Sequence, residues 1–209
     1  MPRDRTSLPI PTINEAAVTG AAIPGQQQVI AATRNWLERA VIGLNLCPFA
    51  RGAHVKGQIR YVVSDARDEE SLLGDLEREL HALLATPPTE VDTTLLVHPW
   101  VLNAFDDFAR FLDLVNVVLR THALEGVLQV ASFHPDYTFA DSDPDDIANC
   151  TNRSPFPTLH LLREDSLDRA VAAFPDAASI YGRNMQTLRD LGRDGWLALA
   201  VGAPSGEDR

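Results

Sequence analysis

The sequence predicts an α/β fold: a single domain with a mostly parallel sheet of about four strands, an antiparallel last strand, and helices packed on the sheet. Segments rich in β-branched and aromatic residues alternate with segments of helical period, which is typical of βαβ crossovers. The third strand is nearly continuously apolar, as expected of a strand covered on both faces. No long helix separates the third strand from the fourth, so this pair is predicted to be antiparallel.

Each element has a local signal in the chain. Apolar residues recur at helical spacing from Gln26, and this helix is predicted to end near Gly43. The second helix carries leucines at helical spacing and must stop before Pro87-Pro88, because proline cannot continue a helix. The predicted strands are Gln58–Ser64, Val91–His98, Gly126–His134 and Thr158–Arg163, and the later helices cover Phe105–Thr121, a segment from Asp165 or Ser166, and Asp176–Leu191 with Gly192 as its stop.

The ends of the chain differ from its middle. Residues 1–25 contain four prolines among small and polar residues and show no helical or strand period, so we expect a disordered arm. Residues 204–209 have the same character and are expected to form a flexible tail. The segment between them, 26–203, is long enough for one domain with its own core.

Composition excludes several classes of function. The chain has 209 residues, with 18 basic against 29 acidic side chains and a formal charge of -11, which argues against a nucleic-acid partner. No apolar run reaches the roughly 20 residues that a membrane span needs, and the first residues lack the apolar centre of a signal peptide. The two cysteines are too few for a disulfide framework. We therefore expect a soluble, cytoplasmic protein with free thiols and a small-molecule ligand.

Two histidines mark the edge of the sheet at which the first three strands end, here called the carboxyl edge. His98 ends the second strand and is followed by Pro99 and Trp100, whereas His134 ends the third and is followed by Pro135 and Asp136. Ligands of open α/β sheets bind outside the carboxyl ends of parallel strands. An imidazole near neutrality can act as an acid, a base or a metal ligand. A histidine before proline is equally typical of a hydrogen-bonded strand boundary.

The long connection 135–157 is interpreted as a lid or binding loop, since ordered domains seldom carry such loops without a role. If the fourth strand is antiparallel, its start brings Asn152, Arg153 and Ser154 to the carboxyl edge. We therefore expect His98, His134 and Arg153 to converge on one pocket, with Arg153 binding an anionic group.

Cys47 precedes Pro48 at the predicted start of a short helix. At an N-cap position, backbone N–H groups would stabilise a thiolate and make Cys47 a nucleophile or redox thiol. Arg51 and His54 follow closely and could bind a carboxylate or phosphate, although a solvated turn explains them equally well. A small buried residue at a tight turn is the other interpretation of Cys47, and a pairing with Cys150 stays unassigned.

The pattern His134-x-Asp136, with His98 or His160 as a further ligand, matches the ligand types of a two-histidine-one-carboxylate iron site. No phosphate-binding glycine loop and no nucleophile-elbow motif occurs in the chain. The sequence names no cofactor.

Three stretches of the chain together resemble a known family: Trp36–Ala50, Ser132–Ala140 and Asn152–Glu164 are similar to the DUF1415 family of bacterial and plant plastid proteins. The resemblance spans about residues 28–200 and implies a single soluble domain, but no catalytic residues. Two hypotheses follow from the residues themselves. The first is an enzyme acting on a small anionic metabolite, with His98 and His134 as acid and base, Asp136 orienting a histidine, and Cys47 as the thiol. The second is a non-catalytic metabolite- or metal-binding module that uses the same edge.

Overall fold

A computed structural model describes residues 25–173 and 179–203, which form a four-stranded mixed sheet with helices against it. The predicted arm and tail, and the start of the last predicted helix, lie largely outside the described residues. The helices are α1 (Gln26–Trp36, continued by a π-helical segment Leu37–Ile42), α2 (Ala50–Val55), α3 (Glu69–Ala85), α4 (Phe105–Thr121), α5 (Glu164–Ala172) and α6 (Ile180–Ala198), and the strands are β1 (Ile59–Val63), β2 (Thr93–Val97), β3 (Leu128–Phe133) and β4 (Thr158–Arg163).

The order of the strands is β1-β2-β4-β3, and only β1 and β2 pair in parallel. The prediction of a mostly parallel sheet is therefore wrong, whereas an antiparallel last strand is confirmed. The physical reason is that the chain returns after β3 and inserts β4 between β2 and β3. Both of the pairs that β4 forms are antiparallel, although β1, β2 and β3 all run in the same direction.

One face of the sheet, here called the first face, is covered by α3 and α4. Leu96, Leu159 and Leu161 point from the strands into this layer, and Phe108 and Phe111 of α4 meet them. All five side chains are almost completely buried. This layer contains the largest group of buried apolar side chains in the described chain.

The opposite face, here called the second face, is covered by shorter pieces. Trp36 and Leu37, where α1 passes into the π-helical segment, pack there beside Phe133 of β3. Gly43 caps that segment, and only glycine fits there because a Cβ at this position would collide with the carbonyl oxygen of Arg39. Helices α2 and α5 lie over the same face and border a space above it.

Most predicted elements occur close to their expected positions. The first helix ends at Gly43 as predicted. Gly192 has a positive φ of 67° and interrupts the helical geometry, but α6 resumes beyond it and continues to Ala198. Within the described ranges, no helix combines the length and the apolar character needed to cross a bilayer.

Candidate functional site

The two predicted histidines do leave the sheet at the same edge. The backbone N–H of His98 donates to the carbonyl of Pro157 at 3.0 Å, and that of His134 donates to Asn152 at 3.2 Å. The segment that leads into β4 therefore lies between the two strand exits. This placement agrees with the expectation that the start of β4 returns to the carboxyl edge.

Both imidazoles are sealed inside the protein. His98 and His134 are each 0% exposed, and their ring centroids lie 5.6 and 5.2 Å from that of Phe108. Nδ1 of His98 is 3.1 Å from the carbonyl oxygen of Val101, and Nε2 of His134 is 3.2 Å from that of Leu102. Burial lowers the pKa of His98 to about 4 and also lowers the pKa of His134. Both rings are therefore neutral at pH 7 and bind to the loop after β2.

Backbone groups set the orientation of His134. Its Nδ1 accepts a hydrogen bond of 3.0 Å from the backbone N–H of Asp136, so the ring proton resides on Nε2 and is donated to Leu102. Leu102 has a φ of 58°, a conformation that is unfavourable for a branched side chain and that this hydrogen bond helps to hold. The Asp136 residue that was predicted to orient a histidine does so through its N–H.

Arg153 does not share a pocket with the two histidines, and the expectation of one common pocket is wrong. Its Nε donates to the carbonyl of Tyr137 at 3.2 Å and its Nη2 to that of Pro144 at 2.9 Å. It lines a different cavity of about 280 Å³, together with Cys150 and Ser154. The physical reason is that the guanidinium of Arg153 binds backbone carbonyls of the long connection 135–157 and so points away from the two histidines.

The remaining residues predicted at the carboxyl edge have structural partners as well. Nδ2 of Asn152 donates to the carbonyl of Ser132 at 3.3 Å, and Oγ of Ser154 donates to that of Phe156 at 2.7 Å. The guanidinium carbon of Arg67 lies 4.2 Å from the centroid of the Trp100 ring, whereas Nε1 of Trp100 is buried without a hydrogen-bond partner within residues 25–173 and 179–203.

A larger cavity of about 460 Å³ lies on the second face of the sheet, and we call it the sheet-face cavity. Its wall is mostly apolar. Side chains from all four strands form its floor, and the segment after the π-helical turn, α2 and α5 form its sides. The lining residues are Trp36, Leu37, Val41, Cys47, Pro48, Phe49, Ala50, Gly52, Ala53, Ile59, Asp92, Thr93, Leu95, Ala131, Phe133, His160, Leu162, Arg163, Ser166, Leu167 and Ala170.

Cys47 is on the wall of this cavity, but not at the predicted helix cap. Helix α2 begins at Ala50 with Phe49 as its N-cap, because Pro48 and Phe49 form a turn first. Burial raises the pKa of the Cys47 thiol, and hydrogen bonds from the backbone of Phe49 and Ala50 offset this only in part. The prediction of a stabilised thiolate is therefore wrong. Cys47 and Cys150 are both free thiols.

His160 lies on the floor of the cavity, in the middle of β4. The β-register places it between Leu95 of β2 and Ala131 of β3, so it points to the second face. Its Nε2 is 2.7 Å from Oγ1 of Thr93, which in turn is 2.6 Å from the carbonyl oxygen of Leu161. The side chain is partly accessible to the cavity, and burial lowers its pKa to about 4.

Charged groups occur at one end of the cavity and have partners there. Oδ1 of Asp92 accepts a hydrogen bond of 2.6 Å from Oγ of Ser166. Nη2 of Arg163 donates to the carbonyls of Leu83, Thr86 and Val91, whereas Nε of this side chain is buried without a hydrogen-bond partner among the described residues.

The basic residues predicted to bind an anion lie elsewhere. Arg51 is exposed on α2, and Nε2 of His54 is 3.6 Å from Oε1 of Glu38. Neither side chain lines the sheet-face cavity.

The structure does not assemble the predicted iron site. Among residues 25–173 and 179–203, no group of three histidine, cysteine, aspartate or glutamate side chains is arranged to hold a metal ion. His160 faces the sheet-face cavity, whereas His98 and His134 lie within the packing at the carboxyl edge. The three imidazoles therefore lie in different environments and do not form one site.

Comparison with known proteins identifies a family. A family model described as "Protein of unknown function (DUF1415)" matches residues 28–198. The chain belongs to the DUF1415 family. No curated protein and no solved structure matches it. All residues that line the sheet-face cavity of this DUF1415 protein, from Trp36 to Ala170, lie within the matched range.

Sequence reasoning overlooked Thr93 and Phe133 and gave His160 only a minor role. One signal was present in this DUF1415 chain: His160 lies in the interior of a predicted strand, between Leu159 and Leu161. A polar side chain in such a strand requires a partner or an opening. Which of the two it has depends on the neighbouring strands, and these are known only from the tertiary structure.

Proposed function

We propose that this protein binds a small, largely apolar molecule in the sheet-face cavity. The observation that carries the proposal is the cavity itself, about 460 Å³ in volume, with a wall that is mostly apolar and a few polar groups. Ligand sites in proteins have volumes of about 300–1,000 Å³ and this same composition. The aromatic rings of Trp36 and Phe133, whose centroids are 5.1 Å apart and whose planes meet at 68°, pack edge to face and contribute apolar surface to the wall.

The charges around the cavity favour a neutral ligand over the anionic metabolite expected from the sequence. Nη2 of Arg163 already donates to three backbone carbonyls, Nε of the same side chain is buried without a partner in the part of the chain that the structure describes, and the carboxylate of Asp92 lies at the same end of the cavity. Arg51, His54 and Arg153 are outside it. A carboxylate or phosphate would thus lose its hydration beside the carboxylate of Asp92 and would compete with backbone carbonyls for Arg163.

A titration of the ¹⁵N-labelled protein with naphthalene tests the proposal. Naphthalene has no polar group, so chemical-shift changes confined to the cavity residues would support binding by shape and apolar contact. Ala131→Leu places a larger side chain on the cavity floor and should abolish binding. Ala85→Leu makes the same change at an exposed position of α3 and should leave binding intact. Unchanged spectra at saturating naphthalene, or equal binding by both variants, would contradict the proposal.

A second candidate function is an enzyme that uses the same cavity. It is favoured by one observation, namely that the thiol of Cys47 and the imidazole of His160 line a common space. If the two groups come within reach of each other across this space, the neutral ring could take the thiol proton while the sulfur bonds to an electrophilic carbon of a bound substrate and that carbon releases its leaving group. This candidate requires that alkylation of Cys47 by iodoacetamide depends on His160. An unchanged alkylation rate in His160→Phe would leave only the binding function.

We also propose that the protein works in a reducing compartment such as the cytoplasm. Two free cysteines support this proposal. Fractionation of cells that express the tagged chain, followed by thiol titration of the recovered protein, would test it.

A further inference from the structure

We propose that the molecule bound in the sheet-face cavity is an uncharged compound with an apolar body and one hydroxyl or N–H group, which donates a hydrogen bond to Nδ1 of His160. This inference rests on the proposed binding function and specifies its ligand. Phenols, indoles and aliphatic alcohols of suitable size belong to this class.

The hydroxyl of Thr93 decides which nitrogen of His160 carries the proton. Oγ1 of Thr93 is within hydrogen-bond distance of both Nε2 of His160, at 2.7 Å, and the carbonyl oxygen of Leu161, at 2.6 Å. A hydroxyl has one proton, and a carbonyl can only accept, so this proton goes to Leu161. Nε2 must then donate to Oγ1, because two acceptors would otherwise face each other. The ring is consequently the tautomer with its proton on Nε2.

The other ring nitrogen is left with an unused lone pair. Within the described chain, Nδ1 of His160 has no hydrogen-bond partner, yet it is not among the polar atoms that are buried without one. It is therefore accessible, and the cavity is the space that the His160 side chain borders. A neutral imidazole nitrogen of this kind accepts hydrogen bonds and cannot donate them.

Protonation of the ring at neutral pH would change this conclusion, but two observations oppose it. Burial in an apolar wall disfavours the charged form and lowers the pKa of His160 to about 4. The nearest hydrogen-bond partner is the neutral hydroxyl of Thr93, which gives an imidazolium no charge compensation. His160 thus presents an acceptor to the cavity, which selects a ligand with a donor.

Three matched probes separate this inference from the proposed function. 2-Naphthol has the donor, naphthalene lacks it, and 2-naphthoate replaces it with a charged acceptor. We expect 2-naphthol to bind roughly two- to tenfold more tightly than naphthalene, the gain typical of one hydrogen bond. We expect 2-naphthoate to bind most weakly, since its carboxylate would face the lone pair of Nδ1. Dissociation constants would be measured by chemical-shift titration of the full chain.

Two substitutions assign the preference to one side chain. His160→Phe keeps an aromatic ring but removes the acceptor, so it should retain naphthalene binding and bind 2-naphthol no better. His54→Phe makes the same change outside the cavity and should keep the preference for 2-naphthol.

The tautomer itself can be observed without any ligand. Two-bond ¹H–¹⁵N correlation spectra of the unmodified protein should show His160 with a protonated Nε2 and an unprotonated Nδ1. Thr93→Val removes the acceptor for Nε2–H and should weaken both this pattern and the preference for 2-naphthol.

Each result has a distinct meaning. Failure of all three probes to bind would overturn the proposed function and this inference with it. Equal binding of naphthalene and 2-naphthol, tightest binding of 2-naphthoate, or a proton on Nδ1 in the unmodified protein would overturn the inference alone.

Discussion

The two faces of the sheet are built from adjacent residues of the same strands, yet one is tightly filled and the other holds a cavity. The first face is covered by α3 and α4, which have 17 residues each. The second face is covered in part by α2 and α5, with six and nine residues. These two short helices leave part of the second face uncovered. The cavity therefore results from the covering layer, and its chemistry depends on the strand residues that happen to lie beneath it.

The histidines illustrate the same contrast. His98 and His134 are enclosed by packing and bind backbone carbonyls, so they hold a loop in place. His160 has a comparable hydrogen bond on one nitrogen but leaves the other accessible. Position at a strand end is thus a weaker indication of function than an accessible, unpaired polar atom.

The largest effect that we expect compares two neighbouring leucines of β4. Leu161 is completely buried on the first face, whereas Leu162 borders the sheet-face cavity. Leu161→Ala should lower the free energy of unfolding by about 2–5 kcal/mol, because it leaves a void in a filled layer. Leu162→Ala enlarges a space that already exists and should cost about 1 kcal/mol. Urea denaturation would measure both, and equal losses would remove the distinction between the faces.

The second prediction concerns acid. The pKa of His160 is about 4 in the folded protein and near 6.5 in the unfolded chain, so the unfolded state takes up the proton first as the pH falls. Its contribution to stability is present above pH 6.5 and is lost between pH 6.5 and about 4. Replacement by phenylalanine should therefore reduce the stability difference between pH 7 and pH 5 by about 2 kcal/mol. Urea unfolding of both proteins at the two pH values would measure this, and an equal stability difference in the variant and the unmodified protein would refute the prediction.

A third prediction tests the environment of Cys47. Burial raises the pKa of this thiol, so less thiolate is present at pH 7.5 than in the unfolded chain. In a Cys150→Ala variant, where Cys47 is the only thiol, iodoacetamide should react several times more slowly with the folded protein than with the protein in urea. A faster reaction in the folded state would contradict this expectation and would support the activated Cys47 thiol that the sequence predicted.

The smallest effect should come from an ion pair that joins the first face to α3. Nε of Arg60 on β1 is 2.8 Å from Oε2 of Glu79 on α3, and the arginine side chain is 47% exposed. Because the side chain of Glu79 is only 11% exposed, the test replaces both partners, so that no carboxylate is left unpaired. Arg60→Met combined with Glu79→Gln should cost no more than about 1 kcal/mol, and the cost should decrease at high salt. A larger, salt-independent loss would mean that the alignment of α3 depends on this contact.

Much of the fold could be predicted because its signals are local. Pro87-Pro88 ends α3, Pro99 and Pro135 follow the strands, and Gly43 ends the π-helical segment. The pairing of β2 with β4 could not be predicted, since many strand orders are compatible with the same run of elements. For the same reason, the sequence predicted correctly that His98 and His134 lie at one edge of the sheet, but it did not predict that both side chains are buried.

The sequence by itself determined the class of the fold, the strands and most of the helices, the antiparallel last strand, and membership of the DUF1415 family. These features depend on periodicity, prolines, glycines and residue identity along a short stretch of chain. Only the tertiary structure decided which polar groups are enclosed and which face a cavity. Burial and hydrogen bonding depend on residues distant in sequence: Thr93 and Phe133 meet at the sheet-face cavity with His160 because β4 lies between their strands.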